Sequence, residues 1–252
     1  IRNKPERPRQ MKLPEYRAIS SVAEEILGHL GRLCHRDRLP HIRLDRIGGI
    51  LSHPVLSGTD LASLIQQSGY LRVELLPENQ RNVRGGYWRG GIRLYCKEAF
   101  LSRLRSAAPK ERSVMLREYF LPVLVHELRH AVDAHRLGDI LCGGKRVFRG
   151  VYPEGSKAHR FVELHHRKPC PLLEPVAWER YRRAYLNLPH EVWARFSEWV
   201  CCSGRLSARV PLADVMRSIG AIPGFCAMGE RTRRRLRRSA CALWHLAKEE
   251  TT

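Results

Sequence analysis

The stretch Val123-Leu-Val-His-Glu-Leu-Arg-His-Ala-Val-Asp133 constrains this chain more than any other. It contains His126-Glu127-Leu128-Arg129-His130, an HExxH pattern. Residues four apart on a helix share a face, so both imidazoles can aim at one point while Glu127, one step round, stands beside it. Leu121, Val123, Leu124 and Val125 before the motif, and Ala131, Val132, Ala134 and Leu137 after it, sustain a helical apolar stripe. A helix buried along that stripe must find polar partners for its histidines and glutamate. A Zn²⁺ ion meets the requirement: neutral imidazoles ligate it, one position stays open to water, and a neighbouring carboxylate can take that water's proton.

Two imidazoles need a third ligand. The downstream acids are Glu154, Glu163, Glu174, Glu179, Glu191 and Glu198, with His165 and His166 as imidazole alternatives. Glu191 is favoured. It opens an amphipathic helix after Pro189, and Ala194, one turn on, is small enough to let two helices approach closely. Glu198 and the His165/His166 pair stay open as alternatives. Asp133 follows His130 by one turn on the same face, which suits a carboxylate that steadies a ligand or docks the helix. The metzincin pattern would place Gly at 133 and His at 136, where Asp133 and Arg136 stand, and no thermolysin-like Asn-Glu and Ser-Asp pattern follows.

The rest of the chain reads as predominantly helical, in an α+β arrangement with a small sheet. Residues 1–14 are basic and proline-rich and are expected as an extended arm, followed by a single domain over 15–252 with its core at about 87–202. Helical periodicity runs from Glu15 to about His35, and Ser57 to Asp60 can cap a short helix over Leu61 to Gln67. Leu71 to Leu76 alternates as a strand ended by Pro77, and Asn82 to Tyr95 reads as a hairpin or as a strand led in by glycines, with Ile92 and Leu94 on one face. Helices are expected at Leu101–Ala107 and Pro109–Phe120, with the motif helix starting or kinking at Pro122 and ending near Leu137. A long connection follows, with a small hairpin around Arg146 to Tyr152, and then helices at Pro175–Leu186, from Pro189 to Cys202, at Leu212–Ile219 and at about Thr232–Glu249.

At Glu191 a resemblance takes shape. His126-Glu-Leu-Arg-His-Ala-Val-Asp133 followed by Glu191-x-x-Ala194 resembles the anthrax lethal factor type of zincin, a gluzincin-like metallopeptidase, and metallopeptidase domains of phage and mobile elements. It covers about residues 87–202. The resemblance implies a zincin-like fold, ligands His126, His130 and Glu191, and Glu127 as general base. It also implies a tyrosine shortly before the third ligand that donates to the oxyanion; Ala184 occupies the matching position, and Tyr185 and Tyr181 are the nearest candidates. The strand Ile92 to Tyr95 is expected to border the cleft and pair with an extended substrate, or else to be an ordinary sheet strand.

The expected activity is thus zinc-dependent hydrolysis of a protein or peptide substrate. Composition adds a second expectation. Forty-five Lys and Arg against twenty-five Asp and Glu give a net charge of +20, densest at Arg231-Thr-Arg-Arg-Arg-Leu-Arg-Arg238. Such a charge favours nucleic acid or another polyanion as a partner. The alternative function is a basic nucleic-acid-associated or scaffold protein of phage or mobile-element origin with a catalytically silent zincin fold. No apolar run is long enough to span a membrane, and the opening residues lack the apolar run of a secretory leader. An opening Ile is expected of an excised or processed chain. The eight cysteines include no CxxC pair, so reduced thiols and a cytoplasmic location are expected, a protein delivered into a host or recipient cell being a further option.

Overall fold

The computed structural model describes residues 11–34, 40–44, 54–68, 71–77, 84–88, 91–136, 169–170, 172–207 and 209–250. Residues 1–10 of the expected arm, the hairpin expected at Arg146 to Tyr152, and the alternative ligands Glu154, Glu163, His165 and His166 lie outside them. The described chain is α+β and mostly helical, and it divides into two compact units, one within Pro14–Gly144 and one within Lys145–Thr252 together with the residues up to Leu13.

The first unit contains α1 (Leu13–Leu33), β1 (His41–Arg43), α2 (Asp60–Ser68), β2 (Arg72–Pro77), β3 (Gly85–Trp88), β4 (Gly91–Cys96), α3 (Glu98–Ser106) and α4 (Pro109–Arg136). Its sheet has the order β1-β2-β4-β3, with β2 and β4 parallel and the other pairs antiparallel. Register follows the period-2 pattern: Val73 pairs with Ile92 and Leu75 with Leu94, all four buried, while Glu74 and Arg93 share the opposite face in a 3.3 Å ion pair. At α2, Thr59 caps the first turn, its Oγ1 accepting from the Ala62 amide at 3.2 Å.

Two expectations are corrected here. Pro122 does not start a helix: α4 runs through it unbroken from Pro109 to Arg136. Proline removes one helical hydrogen bond, to the carbonyl four residues back, and residue 118 is on the exposed side of α4, where water can serve that carbonyl. Nor does Ile92–Tyr95 offer an edge. β4 is paired on both sides, which leaves β1 and β3 as the edge strands of the described sheet.

The second unit contains α5 (Pro175–Leu186), α6 (Pro189–Cys202), α7 (Leu212–Ser218) and α8 (Glu230–Glu249). Prolines at the first helical positions of α5 and α6 match the expected starts. Between α5 and α6, Asn187 ties the unit together: its Nδ2 donates to the Ala227 carbonyl at 2.9 Å and its Oδ1 accepts from the Gly229 amide at 3.2 Å. Gly224, at φ +78°, lies so close to Leu186 that an added Cβ would stand 2.9 Å from its methyl carbons. The Trp244 indole donates to the Val210 carbonyl at 2.8 Å, anchoring α8 to the chain before α7. No described helix is long and apolar enough to cross a membrane.

Candidate metal centre

In the first unit, helical spacing brings His126 and His130 together as the sequence requires. Their rings meet edge to face at 4.6 Å and their Nε2 atoms are 3.0 Å apart. Two imidazole nitrogens converging in this way either share a proton or face one cation. Nitrogens held at about 2.0–2.1 Å from a tetrahedral ion lie roughly 3.3 Å from each other, so the pair fits a shared metal. His130 and Glu127 are buried and His126 is half-buried.

Glu127 stands where α4 packs against β3. A Cβ built on Gly85 of β3 would sit 2.4 Å from Val123 Cγ1 and 3.4 Å from Glu127 Oε1, so glycine lets the β3 backbone approach this turn of α4. The motif's general-base candidate therefore borders β3, an edge strand of the sheet.

Arg129, at a wildcard position of the motif, is fully buried. Its Nε donates to Asp133 Oδ2 at 2.9 Å, and Tyr16 of α1 lies close enough to favour the charge. Burial works against the guanidinium charge, but Asp133 and then Tyr16 outweigh it and raise the Arg129 pKa. Arg136, one turn beyond Asp133, pairs with Asp60 of α2 and lies 3.8 Å from Glu15 of α1. Glu15 in turn accepts from the Asp60 amide at 2.6 Å. Of the two roles expected for Asp133, docking is the one this network performs: it fastens the motif helix to α1 and α2.

In the second unit, Glu191 is buried in the first turn of α6. Arg195 Nη1 donates to Glu191 Oε2 at 2.9 Å, His190 Nε2 lies 3.8 Å from Oε1, and Ala194 is fully buried. The Arg195 guanidinium also covers the Tyr185 ring at 5.4 Å. Tyr185 and Tyr181 are half-buried on α5 and stack in series with Trp178, centroids 6.4 and 5.6 Å apart. Burial, and then the charge of Glu191, pushes the Tyr181 hydroxyl up to about 12, which keeps it a proton donor at neutral pH. Of the other expected ligands, Glu174 and Glu179 are exposed, and Glu179 pairs with Arg182. Glu198 is half-buried. His126, His130 and Glu191 each offer one ligand atom of the kinds that divalent metals take.

Sequence reasoning missed Arg195 and Gly85. The Glu191→Arg195 spacing of four was a readable signal; the approach of Gly85 to α4 had none, because it depends on tertiary packing. No protein-family model, curated protein or solved structure matches the chain.

Proposed function

We propose that the chain is a zincin-like metalloendopeptidase in which His126, His130 and Glu191 hold one zinc ion. The observation that carries this reading is the converging Nε2 pair on α4 with Glu127 buried beside it against Gly85 of β3. Bound zinc would supply Lewis-acid polarisation of the scissile carbonyl and a water acidic enough to deprotonate near neutral pH. Glu127 takes the proton of the attacking water as its oxygen bonds to the carbonyl carbon. The same carboxyl then gives that proton to the amide nitrogen as the C–N bond breaks, leaving an acid and an amine. Tyr185 or Tyr181 donates a hydrogen bond to the carbonyl oxygen as negative charge gathers there. The outer edge of β3, in place of Ile92–Tyr95, offers backbone N–H and C=O groups to an extended substrate.

The test is metal content by elemental analysis and cleavage of a denatured protein substrate, for the wild type, Glu127→Gln, His126→Ala and Glu191→Ala. Glu127→Gln is expected to keep about one zinc per chain and lose roughly 10²–10⁴-fold in cleavage; His126→Ala and Glu191→Ala lose the metal. No zinc after reconstitution, or undiminished cleavage by Glu127→Gln, overturns the proposal.

A further inference from the structure

Peptide hydrolysis makes no use of α8. Its first three turns carry six arginines, Arg231, Arg233, Arg234, Arg235, Arg237 and Arg238, while Leu236, Ala240, Leu243 and Trp244 bury the helix's apolar face. The arginines are thereby turned outward. Glu230 takes two of them, Arg233 at 2.8 Å and Arg234 at 2.9 Å. Arg231, Arg235 and Arg238, at spacings of four and three, form one exposed stripe about 10 Å long at 1.5 Å rise per residue. Among the described residues no carboxylate pairs with any of these three.

The stripe is crowded and partly fixed in place. Arg235 lies over the Trp193 ring at 4.9 Å, and its neighbour Arg237 over Phe225 at 5.6 Å, which limits how far those heads can swing from one another. Like charges one turn apart destabilise a helix. Desolvation, and then Arg231 and Arg238, lower the Arg235 pKa, so the crowding is electrostatically felt. What relieves it is an anion with charges repeated every few ångströms. A nucleic-acid strand presents one phosphate per roughly 3.4 Å of axis, and guanidinium forks bind phosphate oxygens in pairs.

An anionic membrane suits the stripe less well. Interfacial helices insert an apolar face, and that of α8 is already buried; its exposed large apolar residue, Leu246, lies two turns past Arg238. We propose that the Arg231–Arg235–Arg238 stripe of α8 binds the phosphate backbone of nucleic acid without reading its sequence. This assignment stands whether or not the chain is a peptidase.

The test is fluorescence anisotropy of the full chain with a labelled mixed-sequence duplex of about 20 base pairs, between about 50 and 200 mM salt. Neutralising three phosphate contacts in R231Q/R235Q/R238Q should flatten the slope of log K against log salt by about 2.7, at 0.9 per contact. A control, R103Q/R105Q/R117Q, removes the same formal charge from exposed positions of the first unit and should flatten it by less than about 1. R231Q/R238Q leaves the Arg235–Trp193 contact intact and should flatten it by about 1.8 if the triple variant unfolds early. Equal losses in the two triple variants, no duplex binding, or binding to phosphatidylserine vesicles with none to the duplex overturns the proposal. So does a tenfold change in affinity when the duplex sequence is scrambled.

Discussion

Replacing Asp133 with alanine tests how the motif helix is held. Arg129 and Asp133 are 0 % and 1 % exposed and joined by a 2.9 Å hydrogen bond, so the substitution leaves a buried guanidinium with Tyr16 as its one remaining named partner. Removing one member of a buried ion pair costs about 3–5 kcal/mol, most of it the uncompensated charge left behind. Arg136 adds little direct attraction to Asp133 at 3.9 Å, but Asp133→Ala also takes away one of its three acidic neighbours, the others being Asp60 and Glu15. At roughly 3–5 °C per kcal/mol for a unit of this size, the expected fall in Tm is about 10–20 °C. The assay is urea and thermal unfolding of metal-free protein, so that metal binding cannot mask the loss. Replacing both partners, as Arg129→Met with Asp133→Leu, should recover most of the stability, since a buried pair gains little over apolar residues of similar size. A loss below about 1 kcal/mol for Asp133→Ala, or a double variant no better than the single, would refute the account of a buried, mutually dependent pair.

Three further outcomes are expected. Gly85→Ala should destabilise the first unit by about 1–3 kcal/mol, because its Cβ would lie 2.4 Å from Val123 Cγ1; Val123→Ala in the same chain should restore much of it, as read from urea unfolding midpoints. With Glu191 as the proposed third ligand, Arg195→Met should weaken zinc binding about 10–100-fold in chelator competition, with Arg195→Lys intermediate, since Arg195 donates to the Glu191 carboxylate; unchanged affinity in Arg195→Met would remove Arg195 from the proposed centre. Burial lowers the His135 pKa, and its Nδ1 has no hydrogen-bond partner in the fold. A depressed folded pKa means that stability is held above the unfolded value of about 6.5 and lost as pH falls through the folded one. Thermal melts at high and low pH should therefore show His135→Asn losing less stability than the wild type on acidification.

What the sequence made legible was local. The spacing of His126 and His130, the cap of α2, the prolines that open α5 and α6, and the alternation of β2 and β4 are decided within a few residues, and each has its expected element. Pro122 does not begin the motif helix because the loss of one helical bond is too small to end a helix of 28 residues. Ile92–Tyr95 was misread as an edge because strand order depends on long-range pairing that no window of sequence contains. The same eleven residues serve two purposes, and helix geometry explains how. At 100° per residue the Arg129–Asp133 stripe lies about 60° round α4 from the His126–His130 stripe. One stripe buries charge against α1 and α2, and the other keeps two imidazole nitrogens converged. The wildcard position 129 is therefore not free in this chain. An exposed arginine there would have left Asp133 buried alone, and the helix that carries the histidines would have lost its anchor.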